Sequence, residues 1–136
     1  QQAPPVPNSA NNTLQNIPQT AQELLNKLNL DDKPVGTTFY VKFTSEMNAL
    51  EEWAEKDINC LFKLEKLTEN SYQIELIENN ISNPHFVKCA SLISNLCEIL
   101  NSQHSAHSRI KTIRNGKISK ENNVWITKDK AKTMYQ

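Results

Sequence analysis

Glycine is nearly absent from this chain, with two residues in 136. Loops that cradle phosphate need several glycines so that backbone N–H groups can approach the anion, and neither GxGxxG nor GxxxxGK[ST] occurs. An excess of one charge is missing too, since 15 Lys+Arg balance 15 Asp+Glu. That balance excludes a coat for nucleic acid, whose affinity comes from counterion release by a large basic surplus. No apolar run approaches the roughly 18–20 residues that a membrane-spanning helix needs. Cysteine is sparse and odd in number, at three, so at most one bridge can form within the chain. No CxxC pair suggests a metal or redox loop, and no GxSxG elbow suggests a serine nucleophile.

What is present suits one domain with a single core. Residues 1–18, QQAPPVPNSANNTLQNIP, hold four prolines and no charge, and read as a flexible lead-in that cannot bury enough apolar area to order itself. An α+β domain is expected over 19–127, with a basic tail over 128–136. The chain begins at Gln rather than Met, which points to a removed leader and an exported protein, secreted or periplasmic. Asparagine is frequent, and lysine far outnumbers arginine, as AT-rich bacterial codon usage would produce.

Apolar spacing gives the expected elements. Thr20 and Glu23 form a T-x-x-E capping box that opens a short helix carrying Leu24, Leu25 and Leu28. Residues 37–43 alternate, with Phe39, Val41 and Phe43 on one face. Met47, Leu50, Trp53 and Ala54 recur at helical spacing from Thr44 or Ser45 to Lys56. Ile58, Cys60, Phe62 and Leu64 suggest a second strand, and Tyr72, Ile74 and Leu76 a third. Asn83-Pro84 starts a helix running to about Asn101, with Phe86, Cys89, Ala90, Ile93, Leu96, Cys97 and Leu100 as its apolar stripe. Asn115-Gly116 between two β-prone runs predicts a type I′ hairpin. The order is β-α-β-β-α-β after the first helix: a ferredoxin-like split βαβ fold, an antiparallel sheet with an extra C-terminal hairpin strand.

Chemistry is thinly signalled. Cys89 and Cys97 share the predicted helix about 12 Å apart along its axis, too far for a bridge, which leaves Cys60 with Cys89 or with Cys97. Three buried reduced thiols fit the sequence equally well. His104 and His107 stand three apart, but with no neighbouring carboxylate they read as solvated loop residues rather than metal ligands. Tyr40 alone beside acidic neighbours makes a poor base-stacking platform, so nucleic acid is not the expected partner. No cofactor is implied. An enzyme with a Cys/His site would need an activated thiol, and the expected burial opposes that.

The charges are segregated. Residues 45–80 carry nine acids against three lysines, and residues 108–136 carry eight bases against two acids. The basic set is Arg109, Lys111, Arg114, Lys117, Lys120, Lys128, Lys130 and Lys132, with Trp125 and Tyr135 among them, and Trp125 is expected to insert where the partner is a lipid interface. The expectation is a small non-enzymatic binding protein whose basic C-terminal hairpin contacts an anionic surface, either acidic lipid headgroups or an acidic protein. A host-interaction role would suit such a protein. A second expectation is a periplasmic domain of a secretion or pilus assembly that self-associates through a sheet edge. Lysines that merely protect an edge strand from pairing would give the same pattern.

Overall fold

Alternation, more than helical spacing, governs this chain. The structure, a computed structural model, describes residues 21–44 and 49–136. The 1–18 lead-in, Thr20, Ser45 and Met47 lie outside the described residues. Among those described are ten strands and three short helices. They begin with α1 (Ala21–Asn26), β1 (Thr38–Thr44), β2 (Ala49–Trp53), β3 (Phe62–Thr68) and β4 (Ser71–Leu76). Next come β5 (Asn79–Asn80), α2 (Pro84–Lys88), α3 (Ala90–Leu96) and β6 (Cys97–Ile99). The chain ends with β7 (Arg109–Arg114), β8 (Gly116–Glu121), β9 (Val124–Asp129) and β10 (Ala131–Tyr135).

Two sheets result. Six strands in the order β2-β1-β3-β4-β8-β9 curl into a half-barrel, and four in the order β5-β7-β10-β6 form the second sheet. The fold is therefore mostly β and is not ferredoxin-like. Where a helix was expected over 44–56, the described residues Ala49–Trp53 form a strand, β2. Leu, Glu and Ala there favour helix locally, but cross-strand pairing outweighs propensity. Leu50 falls opposite Phe43 and Trp53 opposite Tyr40, and the Lys42 ammonium lies 4.0 Å from the centre of the Trp53 ring. The expected helix over 83–101 breaks at Cys89 and stops at Leu96, because Cys97, Glu98 and Ile99 pair in parallel with Ala131, Lys132 and Thr133.

The C-terminal third departs furthest from expectation. Residues 109–135 form one long two-stranded ribbon, β7–β8 against β9–β10, that passes from one sheet into the other. Its reversal lies at Asn122 and Asn123, whose φ values of 54° and 67° give the double left-handed conformation of a type I′ turn. Asn115-Gly116 is not a turn. It is the corner where the ribbon changes sheets, and a Cβ on Gly116 would meet the Ala131 nitrogen at 2.5 Å and the Asp129 oxygen at 2.6 Å. Glycine is there for close approach of backbones. Residues 131–135, expected in a tail, form an interior strand whose Ala131 and Thr133 are wholly buried.

The core fills the space that the curl encloses. Leu24 and Leu25 of α1, with Leu28 and Leu30 after it, join Phe39, Val41, Phe62, Leu64, Tyr72, Ile74, Ile118 and Trp125 in one cluster. Full burial of each large aliphatic side chain stabilises by about 1.5–3 kcal/mol. Tyr72 sits at the centre, edge-on to Phe39 at 5.9 Å and to Trp125 at 5.3 Å. Its hydroxyl donates to the Leu30 carbonyl at 2.7 Å. Lys66 is buried as well, and its ammonium donates to the carbonyls of Leu30, Asp31 and Lys33 at 3.3, 3.2 and 2.6 Å. A buried cation needs such partners, and here they staple the loop after α1 onto β3.

Side chains also complete the ladders. The Asn26 amide donates to the Trp125 carbonyl at 3.0 Å and accepts from its N–H at 2.8 Å, occupying part of the outer edge of β9. Asn101 makes the same pair of bonds to Tyr135. The Thr112 hydroxyl both donates to and accepts from the Leu76 backbone, tying β7 to β4.

Candidate functional site: the basic ribbon

The nine residues singled out from sequence do not form one surface. Trp125 is 3 % exposed, with its indole N–H donating to the Asp31 carboxylate at 3.2 Å. It is a core residue and supplies no anchor for a lipid interface. Arg109 donates to Glu78 at 2.6 Å, at the far end of β7. Lys120 pairs with Asp31 at 2.8 Å, Lys128 with Glu121 at 2.8 Å, and Lys132 with Glu98. Lys130 donates to the Ser94 carbonyl at 3.1 Å. These contacts polarise their partners. The hydrogen bond from Lys120, aided by Trp125, holds the Asp31 carboxyl below the usual carboxylate range. Lys132 does the same for Glu98, and Glu121 pushes the Lys128 ammonium up.

Lys111, Arg114 and Lys117 differ. None has a salt bridge among the described residues. Register places Lys111 opposite Met134, Arg114 opposite Lys132, and Lys117 opposite Asp129. A like-charge pair directly across a ladder is destabilising, so Arg114 and Lys132 repel each other, with Glu98 offsetting one of them. Beside them Ile113 is 50 % exposed, left out of register by the bulge that lets Arg114 face Lys132. The ribbon thus presents unpaired cations next to apolar atoms.

Edge protection does not explain these charges. β7, β8 and β10 are interior strands, and only β9 lies at an edge, where the Asn26 side chain already occupies the Trp125 backbone groups.

The other candidates are chemically quiet. Cys60, Cys89 and Cys97 are all buried free thiols, so no bridge joins Cys60 to either partner. Burial pushes Cys89 up to about 11 and Cys97 up to about 12, which leaves both protonated near neutral pH and poor as nucleophiles. His107 accepts a hydrogen bond at Nδ1 from the His104 backbone at 2.9 Å and stacks on Tyr135. Among the described residues, no three His, Cys, Asp or Glu side chains gather into a metal site.

Sequence reasoning missed two features. Tyr40 and Trp53 are cross-strand neighbours, hidden while 44–56 read as helix. Asn79, Asn80 and Asn83 line a cleft, and the density of amides in this stretch was the available signal. No family model, no curated protein and no solved structure matches this chain.

Proposed function

We propose that the chain is a non-enzymatic binding module that holds an acidic protein surface against the β7–β10 ribbon. The observation that supports this reading is the row of Lys111, Arg114 and Lys117, unpaired within the described residues, with Arg114 facing Lys132 across the ladder. Acidic groups docking there would offset repulsion already present in the fold, while Ile113 and Met134 would supply apolar contact.

Magnitudes set the character of the complex. Exposed ion pairs are worth about 0.2–1 kcal/mol each, so three or four of them steer a partner and fix its orientation more than they hold it. Removing Ile113 and Met134 from water would supply the rest, giving a transient, salt-sensitive complex. An acidic protein suits this better than a bilayer, because the ribbon's aromatics are engaged within the fold, Trp125 in the core and Tyr135 half-buried against His107, and do not offer the free interfacial ring that a bilayer site uses.

The test is a fluorescence-anisotropy titration with labelled poly-glutamate at rising NaCl. Two charge-reversed variants are compared: Lys111→Glu/Arg114→Glu/Lys117→Glu, and Lys27→Glu/Lys63→Glu/Lys88→Glu with the same net charge. Binding lost only in the ribbon variant supports the reading. Equal loss in both would reduce it to a non-specific effect of net charge and refute a ribbon site.

A further inference from the structure

A cleft of about 330 Å³ opens beside β5, independent of the ribbon row, and is lined by Lys56, Ile77, Asn79, Asn80 and Arg109 among others. Its volume is at the small end of ligand sites, which run from roughly 300 to 1,000 Å³. Asn79 is 6 % exposed. Its side-chain oxygen accepts from the Asn83 amide at 2.8 Å, but its own NH2 has no hydrogen-bond partner among the described residues. Buried donors are almost always satisfied, so an unsatisfied one on a cleft wall points to a group that arrives from outside.

The surrounding groups define that ligand. The Asn80 oxygen is engaged by the Ser82 N–H at 2.9 Å and hydroxyl at 2.7 Å, which leaves its NH2 as a donor. Arg109 uses Nε for Glu78 at 2.6 Å, leaving its two terminal nitrogens. Lys56 has no salt bridge among the described residues. The wall's acids are both engaged, Glu78 by Arg109 and Asp57 by Lys42. Donors therefore exceed acceptors, and with Glu78 paired to Arg109 and Asp57 to Lys42 the cation left over is Lys56, whose single charge a monoanion neutralises and a dianion exceeds. Ile77 adds an apolar surface.

We propose that this cleft binds a small carboxylate with a second oxygen acceptor a few bonds away. The carboxylate meets Arg109 and Lys56, and the second oxygen accepts from Asn79. An acylated amino acid has this chemistry, and so does the C-terminus of a peptide.

The test is ¹H–¹⁵N NMR of the Asn79 and Asn80 side-chain amides in the full chain. The probes are N-acetylglycine, N-acetylglycinamide, and a short alanine peptide with free or amidated C-terminus. The acid shifts the Asn79 amide saturably, and the neutral amide binds at least about tenfold more weakly. Arg109→Gln and the isosteric Asn79→Asp, each checked for an unchanged backbone spectrum, weaken the acid by about tenfold or more. If the free-acid peptide binds more tightly than N-acetylglycine, the natural ligand is a chain end, and the reverse identifies a small metabolite. No saturable shift at Asn79 with either acid, or shifts that survive Arg109→Gln, overturns the proposal.

Discussion

Replacing Lys66 by methionine isolates the contribution of one buried cation. Met keeps the aliphatic stem and its volume within β3 and removes only the ammonium. Lost with it are three bonds to the carbonyls of Leu30, Asp31 and Lys33, of which the 2.6 Å bond to Lys33 is the shortest. Hydrogen bonds to a charged group contribute about 1.5–3 kcal/mol each, so a simple sum reaches several kcal/mol. Two effects reduce it. The variant no longer bears the desolvation cost of a buried ammonium, and the Leu30 carbonyl keeps the Tyr72 hydroxyl as a partner. The expected net loss is about 2–4 kcal/mol. With an m-value of about 2 kcal/mol/M, the urea midpoint falls by about 1–2 M. Hydrogen exchange should accelerate first at Gly36 and Lys66, whose N–H groups bond the Lys66 and Thr37 carbonyls at 2.8 and 2.9 Å. A midpoint that is unchanged or raised would refute the staple and show that desolvation cancels the three bonds.

Three further outcomes are expected. Gly116→Ala drives a Cβ to within 2.5 Å of the Ala131 nitrogen, and since the obstacle is backbone the cost is about 2–3 kcal/mol; a neutral result by urea melt contradicts the corner. Asn26→Leu removes both bonds to the Trp125 backbone and exposes the β9 edge, lowering stability by about 1–2 kcal/mol, with concentration-dependent light scattering as the second readout. Cys89 and Cys97 hold their protons up to about 11 and 12 when folded, against 9.0 for an unperturbed thiol. The folded state therefore binds more protons above pH 9, so stability is full below that pH and falls as pH rises towards the folded values. Thiol titration with a disulfide reagent at pH 8 should accordingly track unfolding, and rapid labelling of the native protein would contradict it.

The sequence was most legible where alternation is unambiguous. Phe39 and Val41 on β1, and Tyr72, Ile74 and Leu76 on β4, face the core as their period-two spacing predicts. It misled where a segment satisfies two periods at once. Leu50, Trp53 and Ala54 fit a helix, while Leu50 with Glu52 and Glu51 with Trp53 fit a strand, and only the partner β1 decides between them. Asn115-Gly116 carries the usual hairpin signal, yet the turn falls to Asn122-Asn123 because Gly116 is needed where two backbones cross. Of the site, the charge segregation could be read directly. Which cations stay unpaired could not, because Asp31 meets Lys120, Glu98 meets Lys132 and Glu78 meets Arg109 only through the fold. Trp125 looked like an interfacial anchor by its neighbours in sequence and is instead packed on Tyr72.

The most direct test of the acidic-partner surface is a backbone ¹H–¹⁵N map of the full chain titrated with poly-glutamate at low and at high salt. The account predicts shifts confined to Lys111–Lys117 and the facing residues 129–134, reversed by salt and absent from the cleft amides of Asn79 and Asn80. Shifts scattered over every exposed lysine, or centred on Lys27, Lys63 and Lys88, would contradict it.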